Sequence, residues 1–166
     1  MSMNDIDVRR VKALSEVGFS FERGGAHSSR TIMLDELTSL FEYVTQAEAQ
    51  KNIYQKAIVE DNCLAKRSGK TRTLTFRHLV DLYGMDSQIV LFRAMRFFWQ
   101  RDTNARALLA LLSAYARDSV LRSASKFILD TPEGATITRE SLEKIIDDCE
   151  SGRFSEATLK STAQNI

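Results

Sequence analysis

The scarcity of helix-interrupting residues constrains this chain more than any other feature of its sequence. Only one proline and seven glycines occur in 166 residues, and these are the residues that most often break or end helices. Apolar side chains recur at spacings of three and four residues almost throughout, as expected when one face of each helix is buried. The sequence therefore predicts an all-α protein.

The proline also indicates a change of domain. We predict a helical bundle with a basic central segment over residues 1–130, and a smaller C-terminal helical pair over residues 131–166. The linker between them is expected at Asp130–Ala135, which contains the proline. In the C-terminal pair, Thr138 and Ser155 are expected to cap the two helices, because hydroxyl side chains can accept from free N–H groups at a helix N-terminus.

Two local patterns predict where the core lies. Thr45 and Glu48 form a capping-box pattern, so a helix is expected to begin there. Helices predicted over about residues 87–101 and 104–117 are apolar almost all round, which is typical of helices inside a bundle. We therefore expect a set of neighbouring aromatic residues to belong to the core: Phe97, Phe98 and Trp99.

Charge is unevenly distributed, although its total is only +1. Residues 1–60 carry a net charge of −2, residues 61–126 carry +7 and residues 127–166 carry −4. Local density matters more than the total, because a polyanion responds to the charges nearest to it. Asp and Glu are absent from Asn62 through Val80, and this acid-free segment contains five cations: Lys66, Arg67, Lys70, Arg72 and Arg77.

The composition of the acid-free segment is that of a phosphate-contacting surface. The hydroxyls of Ser68, Thr71, Thr73 and Thr75 are expected to add hydrogen-bond donors. The alternative interpretation is a solvated helix face and loop without a ligand. Four further arginines either extend the basic surface or pair with buried acids: Arg93, Arg96, Arg106 and Arg117.

A glycine-containing loop provides second-choice contacts, through Arg23 and Arg30. Gly24 and Gly25 precede a predicted helix, and the free backbone N–H groups at a helix N-terminus can bind an anion. The alternative is a turn whose serines only cap that helix. If the loop binds an anion, a nucleic-acid phosphate is the better candidate, because no nucleotide-binding motif accompanies it.

Little in the sequence supports catalysis. The only histidines and cysteines are His27, His78, Cys63 and Cys149, and their spacing is not that of a zinc site. A Walker loop, a dinucleotide fingerprint and the Glu-x-Lys element of many metal nucleases are all absent. We therefore predict a protein that is not an enzyme and uses no cofactor or metal, with structural or surface roles for both cysteines.

The sequence also predicts a cytoplasmic protein without a membrane partner. Its longest apolar run, Ala107–Leu112, is far shorter than the roughly 18 residues that a membrane-spanning helix needs. Residues 1–17 carry charges throughout and lack the apolar core of a secretory signal.

The C-terminal helical pair has two interpretations. As a helix-turn-helix, its second helix would read bases with Thr158, Lys160, Ser161, Gln164 and Asn165. However, the preceding helix is rich in Asp and Glu, which the DNA backbone would repel. We therefore favour a role in packing or partner binding.

Five segments of the chain have a distinctive sequence: Gly18–Leu34, Ala57–Ser68, Thr71–Arg72, Leu82–Asp86 and Ser155–Asn165. Together they resemble the BrxA family of BREX bacteriophage-defence systems. The resemblance implies a small, non-enzymatic, all-helical protein that binds double-stranded DNA, is similar in fold to the antitermination factor NusB, and works with other BREX components. Family members usually continue beyond the position of Ile166, so the resemblance implies that any DNA contact made by such a tail is missing here.

Taken with the acid-free segment, the resemblance leads us to expect nonspecific or weakly specific binding of duplex DNA. Two alternatives remain open. One is a protein that binds structured RNA, and the other is a scaffold whose basic residues dock an acidic protein partner.

Overall fold

Helices make up all the regular structure in the described part of the chain. The computed structural model describes residues 3–21, 32–150 and 152–166. A π-helical turn, Lys56–Glu60, directly follows the third α-helix. The α-helices are α1 (Met3–Val17), α2 (Leu34–Tyr43), α3 (Lys51–Gln55), α4 (Gly69–Tyr83), α5 (Val90–Trp99), α6 (Arg106–Arg117), α7 (Ser119–Asp130), α8 (Arg139–Cys149) and α9 (Glu156–Asn165). The all-α prediction is confirmed for these residues.

Helix packing divides the described residues into two units. The first contains residues 3–21 and 32–117, and the second contains 118–150 and 152–166. We expected the change near residue 130, but it lies earlier in the chain. The reason is that α7 contributes Val120 and Ala124 to the same core as Leu142 and Ile146 of α8, so α7 belongs to the second unit.

An aromatic cluster forms the centre of the first unit. The Phe41 ring meets Trp99 edge-on at a centroid distance of 5.2 Å and Phe92 at 6.0 Å. Tyr54 packs perpendicular to Phe92 at 5.5 Å. All four side chains are buried, so this cluster joins α2, α3 and α5 through edge-to-face contacts that add to the stabilisation from buried area.

Specific residues define several helix ends. Thr138 accepts from the Ser141 N–H and Ser155 from the Thr158 N–H, which confirms both predicted caps in the second unit. Gly84 ends α4 with a φ of 83°. A side chain at Gly84 would be strained at this φ, and its Cβ would lie 2.7 Å from Ile89 Cδ1, so the position requires glycine.

The predicted capping box at Thr45 and Glu48 is wrong. Residues 44–50 form an irregular segment, and α3 begins only at Lys51. Tertiary hydrogen bonds hold this segment out of a helix, because its carbonyl groups accept from side chains elsewhere in the unit. Arg96 Nη2 donates to the carbonyl of Val44 at 2.9 Å and of Gln46 at 3.5 Å, and Ser87 Oγ donates to the carbonyl of Glu48 at 3.0 Å.

The expectation that α5 and α6 lie inside the bundle is also wrong. Trp99 is buried, but Phe97 and Phe98 are 50% and 51% exposed. Leu108 and Leu112 of α6 are exposed as well. On α5 the buried positions are Phe92, Met95, Arg96 and Trp99. An arginine therefore occupies a core position, and two phenylalanines lie on the outer face.

The N-terminal helix α1 also has an exposed apolar stripe. Every side chain described from residue 7 to residue 17 is exposed, including Val8, Val11, Leu14 and Val17. These apolar side chains recur at a spacing of three residues, but the first unit does not bury them.

The second unit is built from α7, α8 and α9 around a small apolar core. Ala163 of α9 is buried against the residues from α7 and α8, and Phe127, Ile137, Phe154 and Leu159 pack around them. The final two helices pack against each other, which favours a packing role for this pair.

Among the described residues, no helix is both long enough and apolar enough to cross a membrane.

Candidate nucleic-acid interface

The acid-free segment, residues 62–80, folds as a loop followed by the first part of α4. Ser68 is the N-cap of α4, and its Oγ accepts from the Thr71 N–H at 3.1 Å. The first turn of α4 contains no acidic residue. Because the first N–H groups of a helix carry partial positive charge, Arg67 and Lys70 add to a positive field that is already present there.

Two of the five predicted cations serve the structure of the protein. Lys66 Nζ lies 2.9 Å from Glu36 Oε1, and both side chains are about one-fifth exposed. Arg72 Nη1 donates to the Val59 carbonyl at 2.8 Å. Lys66 therefore ties the loop to α2, and Arg72 ties α4 to the π-helical turn, so neither charge is as available to a ligand as the sequence indicates.

The other three predicted cations are exposed: Arg67, Lys70 and Arg77. Lys70 and Arg77 are seven residues apart in α4, so they share one face about 10 Å apart along the helix axis. Exposed Leu74 lies between them, and Asp81 occupies the same face one turn further on. We call Arg67, Lys70 and Arg77 the α4 basic face. The second-choice residues, Arg23 and Arg30, lie outside the described residues.

The hydroxyls that we expected to assist phosphate binding are mostly buried or form hydrogen bonds within the protein. Thr75 is buried. Thr73 Oγ1 donates to the carbonyl of Gly69, and Ser68 Oγ and Thr71 Oγ1 share a hydrogen bond of 2.9 Å. They stabilise the start of α4, which is the element that positions the basic face.

Asn62 organises the loop that presents Arg67. Its φ of 53° is in the left-handed region, where asparagine is tolerated better than most residues. The Lys66 N–H donates to Asn62 Oδ1 at 2.8 Å, and Asn62 Nδ2 donates back to the Lys66 carbonyl at 3.2 Å. This reciprocal pair closes the loop immediately before Arg67.

Asn62→Ala is expected to lower the free energy of unfolding by about 1–3 kcal/mol, because it removes both hydrogen bonds and leaves alanine with a positive φ. Chemical denaturation monitored by circular dichroism measures the change. Asn52→Ala, at an exposed position of α3, is the matched control and should change stability by less than about 0.5 kcal/mol. Equal effects of the two substitutions would contradict the role given to Asn62. Glycine adopts a positive φ without strain, so the loss of stability in Asn62→Gly measures the contribution of the two hydrogen bonds without that of backbone strain.

The four arginines whose roles the sequence left open have different environments. Arg96 is buried, and Arg117 is half-buried and donates to the carbonyls of Gly18 and Asp81. Burial lowers the pKa of both side chains. Arg106 lies over the Trp99 ring at 5.4 Å, and Arg93 is exposed. Arg96 and Arg117 are therefore structural, and both donate to backbone carbonyls, which neither of the two predicted roles included.

The surroundings of Cys63 do not favour a reactive thiol. Burial raises the pKa of Cys63, and the nearby Asp61 carboxylate raises it further, so the nucleophilic thiolate is disfavoured. Tyr43 Oη donates to Asp61 Oδ2 at 3.2 Å, and this carboxylate raises the pKa of the tyrosine.

No cluster of three or more His, Cys, Asp or Glu side chains suited to a metal occurs in the part of the chain that the structure describes.

Comparison with known protein families, curated proteins and solved structures finds no match to this chain.

Proposed function

We propose that this protein binds double-stranded DNA without catalysing a reaction, through phosphate contacts made by the α4 basic face. The observation that carries the proposal is the position of Arg67, Lys70 and Arg77. All three are exposed, and Arg67 and Lys70 flank the N-cap of α4, where the first turn has no carboxylate to neutralise those two charges. A helix N-terminus surrounded by cations is well suited to a phosphate.

The local structure supports the proposal because it holds these cations in place before a ligand arrives. Asn62, the Lys66–Glu36 ion pair and the Arg72 hydrogen bond to Val59 each fix part of the loop or of α4. Preorganised contacts lose less conformational entropy on binding. The proposal gives Lys66 and Arg72 the role of positioning residues, and leaves phosphate contact to the α4 basic face.

The biological setting of the proposal rests on the sequence resemblance to BrxA. In that setting the protein is a DNA-binding component of a BREX phage-defence system, has the NusB-like fold of that family, and works with other BREX components in the cytoplasm. The contacts described above use phosphates rather than base edges, so the proposal includes little or no sequence specificity.

Fluorescence anisotropy with a labelled 30-base-pair duplex tests the proposal. Three phosphate contacts predict that affinity falls about 40-fold between 50 and 200 mM monovalent salt, because about 0.9 counterion is released per contact. Unlabelled duplexes of unrelated sequence should compete equally well, and an RNA hairpin of the same length should compete more weakly. The proposal is wrong if no duplex binds at 50 mM salt. Stronger competition by the hairpin would instead favour the structured-RNA alternative.

A further inference from the structure

A cleft in the first unit lies between the irregular 44–50 segment and α5. Its volume is about 570 Å³, which is within the range of ligand pockets in proteins, roughly 300–1,000 Å³. Apolar side chains form much of its wall, notably Val90, Phe97 and Phe98. Since Phe97 and Phe98 are half-exposed and meet edge to face at 5.1 Å, the cleft presents two large apolar rings to solvent.

The cleft is also strongly basic. Three arginines line it, Arg93, Arg96 and Arg101, and Glu48 is the acidic residue among the lining side chains. None of these arginines lies within ion-pairing distance of a carboxylate in the described residues. The cleft therefore has an excess of positive charge that the described part of the first unit does not neutralise.

Arg96 gives the cleft a buried cation. Its side chain is only 1% exposed, and its Cζ lies 4.1 Å from the centre of the Phe41 ring. Nη2 donates to backbone carbonyls, and the guanidinium also interacts with the Tyr54 hydroxyl. Nε and Nη1 are buried, and among the described residues neither makes a hydrogen bond of ordinary geometry. Because these atoms are shielded from solvent, Arg96 contributes a poorly solvated positive charge to the cleft rather than a donor that a ligand can contact.

The composition of the cleft favours a protein ligand over a nucleic acid. Arginine and aromatic residues are enriched at the centres of protein interfaces, whereas lysine is depleted, and the cleft contains no lysine. A base needs an open ring face on which to stack. The Arg101 guanidinium, 3.3 Å from the Phe97 ring centre, and the edge-to-face contact with Phe98 reduce the open ring surface available for stacking.

We propose that this cleft docks an acidic amphipathic segment of a protein partner. An apolar side chain of the segment packs against Phe97 and Phe98, and its carboxylates approach the exposed Arg93 and Arg101, where the buried charge of Arg96 adds to the positive field. The charge of the cleft selects the acidic residues, and its rings select the apolar ones. This site is separate in sequence from the α4 basic face, so the protein can be tested for peptide and DNA binding independently.

Selection from a display library of random 16-residue peptides against the full chain tests this proposal. The enriched sequences should combine Asp or Glu with Leu, Ile or Phe at spacings of three and four residues. For an enriched peptide, Phe98→Ser and Arg101→Gln should each weaken binding at least about 10-fold, with duplex DNA affinity unchanged. Leu108→Ser, at an exposed apolar position of α6 outside the cleft, should change peptide affinity less than twofold.

Three results would overturn the docking proposal. They are no enrichment, enrichment of neutral or basic peptides, and equal effects of the cleft and control substitutions. A 20-nucleotide oligothymidine provides the comparison with nucleic acid. If Phe98→Ser weakens oligothymidine binding while no acidic peptide is enriched, the cleft is a base-stacking site instead. Circular dichroism of each variant shows whether a loss of binding reflects a loss of fold.

Discussion

Replacing Arg67, Lys70 and Arg77 together with glutamine should reduce the affinity for duplex DNA by roughly two to three orders of magnitude at 50 mM salt. Each lost phosphate contact removes the release of about one counterion, and that release is most favourable at low salt. The slope of log affinity against log salt should also become less steep by about 2.7. Anisotropy titrations of both proteins at four salt concentrations measure these two effects.

A variant with the same change in net charge separates the α4 basic face from a general effect of charge. Lys51, Lys56 and Lys126 are exposed and lie outside the acid-free segment. Replacing all three with glutamine lowers the net charge equally and should weaken binding less than about fivefold, because distant charges are screened. If both triple variants lose affinity to the same extent, phosphate contact by the α4 basic face is refuted.

The largest expected effect on stability is that of Phe41→Ala. Phe41 is buried against Trp99, Phe92 and Tyr54, and Arg96 lies over its ring. Removing a buried phenylalanine leaves a cavity and costs about 3–5 kcal/mol. Here the substitution also takes the aromatic face away from a buried guanidinium. Urea denaturation followed by far-ultraviolet circular dichroism should show this loss in the transition of the first unit.

Phe98→Ala is the matched control for that substitution. It removes the same side chain from the same unit, but at a position that is 51% exposed. The expected cost is about 1 kcal/mol or less, since much of the ring is already in contact with water. A cost for Phe41→Ala no greater than that for Phe98→Ala would show that the aromatic cluster is not the centre of the core.

Features set by local chemistry were predictable from the sequence. Thr138 and Ser155 cap helices because a hydroxyl directly before a helix can accept from a free N–H group of its first turn. Gly84 ends α4 because glycine adopts, without steric strain, the positive φ that this helix end requires. The helical fold class follows from spacing that is repeated over most of the chain.

Features set by distant residues were not predictable. The pattern at Thr45 and Glu48 gave no sign that Arg96 and Ser87, roughly 40 to 50 positions away, bind the carbonyls of that segment. The same arginine lies on the buried side of α5, although polar residues are normally assigned to the exposed face of a helix.

The candidate site shows the same limit. Five cations in an acid-free segment indicated five contacts, but Glu36, 30 residues earlier in the sequence, pairs with Lys66. Arg72 turns inward to a carbonyl group. A linear sequence shows which charges are near one another along the chain, whereas tertiary packing decides which of them remain available.

The position of Trp99 has a practical consequence for following how the protein unfolds. It is the only tryptophan in the sequence, it is 2% exposed, and it belongs to the aromatic cluster of the first unit. Its fluorescence therefore reports unfolding of the first unit, to which it belongs, whereas circular dichroism detects helices in both units. A difference between the midpoints of the two signals would give separate stabilities for the two units from a single denaturation series, without any added label.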